Sequence, residues 1–83
     1  MTMSEAIREM VEANGRDTKY SDGAYTHDGH NLLEWLDELG TETTDTDYEY
    51  EYNTGSTGGR PGVYRVEEGG LLSSVPVYEV VRS

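Results

Sequence analysis

Between Asp45 and Tyr52 the chain reads Asp-Thr-Asp-Tyr-Glu-Tyr-Glu-Tyr, with a carboxylate at every second position. That period is the period of a β-strand, in which successive side chains point to opposite faces. Asp45, Asp47, Glu49 and Glu51 then form one row, and Tyr48, Tyr50 and Tyr52 form another. Carboxylates on alternate strand residues stand about 6.6–6.8 Å apart, and like charges on one face repel. A row kept despite that repulsion suits either a very saline solvent or a partner that attracts negative charge. Spaced oxygens also suit calcium. Counted from Asp45, however, an EF-hand loop would need Gly where Tyr50 stands and Glu where Ser56 stands, and strand carboxylates do not converge.

Three other groupings could carry chemistry. His27, Asp28 and His30 have the residue types of a metal site, but no third or fourth ligand is marked. The bland alternative makes Asp28 a helix cap and leaves both histidines exposed. Ser21, Asp22 and His27 can be drawn as a catalytic triad, yet a triad is defined by geometry and not by closeness in sequence. The glycine-rich stretch from Gly55 to Gly62 lacks the Gly-Lys-Ser/Thr ending of a phosphate-binding loop. It reads as a hairpin tip with Arg60 on it. No catalytic residue, cofactor site or metal site is expected.

The elements that must position these residues are legible in outline. Thr2 and Glu5 have capping-box spacing, and Met3, Ile7, Met10, Val11 and Asn14 recur at helical spacing up to Asn14-Gly15. Residues 17–26 fit either a turn-rich connector or a hairpin, in which a two-residue Asp22-Gly23 turn would pair Tyr20 with Tyr25. A second helix is predicted over His30–Leu39, capped by Asp28 and stopped by Gly40. Leu32, Leu33, Trp35, Leu36 and Leu39 give it one broad apolar stripe. Strands are predicted at 46–53, 62–68 and 74–82, joined by glycine-rich links into an antiparallel meander. Pro76 favours an edge position or a bulge for the last of them. The expected fold is α+β, with two short helices packed on one face of a three-stranded antiparallel meander and an optional extra hairpin at 18–26. A winged helix-turn-helix would need a third helix and a basic recognition face, and neither is visible.

Composition narrows the function. The chain has 83 residues and a formal charge of −11, with no Cys and no Phe. That length gives room for one small domain, residues 1–83. Leu, Ile and Val are scarce enough to place the chain near the border of disorder, so Tyr and Trp35 must supply core area. The segment 41–56 holds five acids and no base. Nucleic acid is excluded as a direct ligand, because phosphate binding needs a basic footprint. With neither a leader pattern nor an apolar run of membrane length, a soluble, cytoplasmic protein with no membrane partner is expected.

In size, acidity and element order the chain resembles small phage-encoded inhibitors that imitate nucleic acid. The nearest family is the uracil-DNA glycosylase inhibitor, whose helix–strand–helix–sheet order is matched here by Met3–Asn14, Thr18–Thr26, Asn31–Leu39 and the strands after Asp45. Anti-CRISPR and anti-restriction proteins have the same general look. The resemblance implies a non-enzymatic inhibitor that occupies the basic groove of a nucleic-acid-binding protein. Asp45, Asp47, Glu49 and Glu51 are its expected surrogate phosphates, broadened by Glu42, Asp37 and Glu38. The alternative is a small halophile-adapted structural or regulatory protein, its acidity a solvent adaptation and its interface apolar, with the stripe around Trp35 pairing two copies as a homodimer.

Overall fold

The computed structural model describes residues 1–39, 48–55 and 60–81, with Leu39 included for its backbone only. Helix α1 spans Met3–Asn14. Its N-terminus is closed reciprocally, the Thr2 hydroxyl accepting from the Glu5 amide at 3.1 Å and the Glu5 carboxylate from the Thr2 amide at 3.0 Å. At the other end Gly15 takes φ 107° and donates its amide to the Val11 carbonyl at 2.7 Å, a backbone turn that a side chain would strain. Ala6, Ile7, Met10 and Val11, on the apolar face, are fully buried.

Strand β1 (Lys19–Ser21) and strand β2 (Thr26–Asp28) form a hairpin, and helix α2 (Gly29–Leu39) follows at once. Asp28 caps α2, its Oδ1 accepting from the Asn31 amide at 2.8 Å. The amides of Gly29 and His30 donate to the carbonyls of Thr18 and Arg16, each at 3.1 Å. A Cβ on Gly29 would lie 2.7 Å from the Arg16 Cα, so the start of α2 meets that segment through a residue with no side chain.

The hairpin departs from the two-residue turn expected of Asp22-Gly23. Tyr20 pairs with His27 and Ser21 with Thr26, leaving Asp22–Tyr25 as a four-residue loop with Tyr25 exposed. The cause is local. The Asp22 carboxylate accepts from the amides of Ala24 and Tyr25 at 2.9 and 2.7 Å, while the Asp22 amide donates to the Tyr25 carbonyl at 3.0 Å, so the chain turns around Gly23-Ala24, one residue later than expected.

Strands β3 (Glu49–Asn53), β4 (Gly62–Val66) and β5 (Tyr78–Val81) are a meander, as expected, but the sheet is larger. It has five antiparallel strands in the order β2-β1-β5-β4-β3, because the hairpin attaches along β5 through Tyr20–Val80. The expected three-stranded sheet is therefore corrected to five. Strand β5 is central and not an edge. Pro76 escapes the ladder because the return from β4 bulges. Leu72 bridges Val66, and Tyr78 pairs with Val63, so the chain between Leu72 and Tyr78 is twice as long as the stretch it faces. Pro76 sits in that excursion, and β5 begins only afterwards. The expected strand 62–68 stops at Val66, and a 3-10 turn, Glu68–Gly70, follows.

Alternation and register place Tyr20, Tyr50, Val63 and Val80 on one face, where they join Ala6, Ile7, Met10, Val11, Leu32 and Leu36 in one core. The opposite face carries Lys19, Glu79, Tyr64, Val66, Glu49 and Glu51 and is covered by neither helix. Tyr replaces the missing Phe here. Tyr20 is wholly buried, and its hydroxyl donates to the Gly15 carbonyl at 2.8 Å. Burial pushes its phenol pKa up.

Candidate functional site

The tyrosine/carboxylate alternation survives in β3. Tyr50 is 5% exposed in the core, while Glu49 and Glu51 project from the uncovered face opposite Val66 and Tyr64. Glu49 accepts from the Met1 ammonium at 3.0 Å, and the Tyr50 amide donates to the Met1 carbonyl at 2.8 Å. The first residue thus lies along the outer edge of β3, partly covering it. Glu42, Asp45 and Asp47 lie outside the described residues.

Asp37 and Glu38 do not broaden this row. They sit on α2, on the other side of the sheet from Glu49 and Glu51. There they belong to a larger group that strand periodicity does not reveal. Glu5, Glu9 and Glu12 follow one another at i, i+4 and i+7 on the exposed side of α1, and Glu34, Asp37 and Glu38 do the same on α2 at i, i+3 and i+4. The two helices lie side by side, and Arg8 reaches from one to the other, donating to Asp37 at 2.8 Å. Six exposed carboxylates therefore face solvent across the helical layer, one of them, Asp37, paired with Arg8. The sequence signal was present, since these acids are the complement of the apolar stripe. What was missing was the side-by-side placement of two separate helices.

The two histidines diverge. His30 is exposed and meets Asp17 at 3.0 Å, while Asp28 is occupied as a cap and lies 3.9 Å from Lys19. Among the described residues no three His, Asp or Glu side chains are grouped as metal ligands would be. His27 turns instead toward Asp22, Nε2 to Oδ2 at 3.0 Å. This bond and the two backbone amides hold the Asp22 carboxyl down at a pKa of about 2. Two members of the hypothetical triad thus touch, but the third does not join them. Ser21 alternates to the other face from Tyr20, where its Oγ accepts from the Gly23 amide at 3.1 Å. Arg60 is likewise engaged, with Glu79 at 3.1 Å.

No protein-family model, curated protein or solved structure matches this chain. The likeness to the uracil-DNA glycosylase inhibitor accordingly stays one of element order and acidity, and function must be argued from these surfaces. Among the described residues no helix is long and apolar enough to cross a membrane.

Trp35 is the remaining departure. It was expected in the core with its stripe, yet it is 37% exposed while Leu32 and Leu36 are buried. At 100° per residue, Trp35 falls on the flank of α2 away from α1, over the hairpin. There, with Asp22, His27, Asn31, Leu32 and Tyr78, it lines a cavity of about 300 Å³.

Proposed function

We propose that this chain is a non-enzymatic inhibitor that binds a basic, nucleic-acid-binding protein by presenting carboxylates in place of phosphates. The supporting observation is the helical layer, whose solvent side carries Glu5, Glu9, Glu12, Glu34, Asp37 and Glu38, with Arg8 paired to Asp37. Like charges at i, i+4 each cost an isolated helix about 0.2–0.5 kcal/mol, so a surface that keeps Glu5 with Glu9 and Glu34 with Glu38 works against its own fold. A positively charged groove recovers that cost. It would draw this surface in by long-range attraction, and the complex would weaken as salt rises. Glu49 and Glu51, with Asp45, Asp47 and Glu42 preceding them in sequence, would form a second acidic patch available to the same class of partner.

The test uses purified DNA glycosylases, restriction nucleases and RNA-guided nucleases, each holding a fluorescent duplex. The protein is expected to displace the duplex from at least one of them, less effectively at higher salt. The triple variant Glu9→Gln, Glu34→Gln, Glu38→Gln should weaken that displacement about tenfold or more, while Glu49→Gln, Glu51→Gln should have a smaller effect. Displacement that ignores both salt and the triple variant would sink the proposal.

One observation favours a second reading. Carboxylates lie on both sides of the sheet, beyond what a single docking surface uses. A halophile-adapted protein with an apolar interface accounts for that distribution, and the salt dependence of folding separates the two.

A further inference from the structure

The cavity beneath Trp35 takes no part in the carboxylate surface, and its lining has a distinct chemistry. Its volume of about 300 Å³ is at the low end for a ligand site, which suits a side chain better than a cofactor. Three aromatic rings contribute to it. Trp35 turns out of the core, and half-buried Tyr78 stands beside His27 with ring centroids 6.3 Å apart. The faces of Trp and Tyr attract cations. Asp22 adds a fixed negative charge, anchored by the Ala24 and Tyr25 amides and by His27. Among the described residues no lysine or arginine lines the cavity to oppose it.

We propose that this cavity receives an arginine side chain of a partner protein, its stem against Leu32 and its guanidinium between Trp35, Tyr78 and Asp22. Arginine fits better than lysine because its planar, weakly hydrated head stacks on aromatic rings and matches a carboxylate. The identity of the partner as a basic protein rests on the proposed function, but the cation preference of the cavity does not, so the two can fail separately.

The experiment titrates the protein with N-acetyl-arginine amide, N-acetyl-citrulline amide (its uncharged isostere) and N-acetyl-norleucine amide. Titrations run at about 0.15 M salt, where the Debye length is about 8 Å and diffuse attraction is damped. Trp35 is the sole tryptophan, so its fluorescence and indole resonance report on the cavity directly, alongside the backbone amides of residues 22–35. The arginine probe should bind about tenfold more tightly than citrulline or norleucine, and Asp22→Asn should remove that preference. Trp35→Leu, followed by the amide resonances, should weaken arginine binding about tenfold and guards against a loosened Asp22 turn as the cause. Glu68→Gln, an exposed charge outside both the cavity and the helical layer, should change nothing at the cavity. Equal binding of arginine and citrulline, tighter binding of norleucine, or no perturbation by any probe would each overturn the proposal. So would an arginine response that follows Glu68→Gln and not Asp22→Asn.

Discussion

Asp22 shows how one side chain can hold local structure and charge together. Its carboxylate accepts two backbone amides and faces His27, and these bonds bring its pKa from an ordinary 3.8 to about 2. A carboxyl depressed by folding contributes stability that is complete above its unfolded pKa and disappears as pH falls through its folded one. For Asp22 that window lies between about pH 4 and pH 2. Asp22→Asn, which keeps an acceptor for the amides but loses the charge, should therefore be less stable than the parent at neutral pH. The gap should close as pH falls from about 4 to about 2. Urea melts of both proteins across that range measure it, and a gap independent of pH would show that His27 and the two amides together do not favour the charged carboxylate. The Tyr78 phenol moves the other way, raised by burial and then by the Asp22 charge.

Elements fit together here where side chains are absent. Gly62 opens β4 opposite Glu79, and a Cβ on it would fall 2.3 Å from the Tyr78 carbonyl oxygen, a backbone atom that cannot swing aside. The contact lies where β5 rejoins β4 after the Pro76 excursion. Gly62→Ala should force the two strands apart and cost about 1–3 kcal/mol, at the upper end because the clash is with main chain. Chemical denaturation gives the magnitude, and hydrogen exchange at the Val80 amide, which donates to Pro61 at 2.9 Å, locates the damage. Unchanged stability would mean that the close approach is absent in solution. Gly23→Ala tests a different thing, a loop φ of 97° with open space around it, and should cost less.

At the scale of the molecule, charge opposes folding. A net −11 is carried on a core drawn largely from two helix stripes, four β-branched or tyrosine sheet positions and little else. Self-repulsion should depress the melting temperature in dilute solution and relax as salt is added, since the Debye length shrinks to about 3 Å at 1 M. Circular-dichroism melts in dilute solution and in molar KCl read this directly. Cooperative folding in dilute solution, with a modest rise in Tm on adding salt, is the outcome expected under the proposed function, because the carboxylate surface must be folded before it meets its partner. A chain that folds only in molar salt would establish solvent adaptation instead. Glu9→Gln, Glu34→Gln, Glu38→Gln should raise Tm in dilute solution and matter less at high salt, because it removes repulsion that salt otherwise screens.

Much of this was legible before any coordinates. The capping box at Thr2 and Glu5, the stop at Gly15, the Asp28 cap and the split of β3 into Tyr and Glu faces depend on residues within a turn or two of one another. Short-range sterics and hydrogen bonds fix such features wherever the segment finally docks. Features that join distant segments were not legible. The hairpin became part of the main sheet because β5 offered Tyr20 and Ser21 a free edge. Pro76 was tolerated because the chain around it left the ladder. Trp35 left its own stripe because α2 lies over the hairpin and not over the middle of the sheet. Arg8 and Asp37 met, and the acids of the two helices came to share one surface, only when α1 and α2 were laid side by side. A hydrophobic period states which face of an element is buried, not what that face meets. The acidity and the elements therefore belong to the sequence, while the grouping of carboxylates into a surface and of aromatic rings into a cavity belongs to the packing.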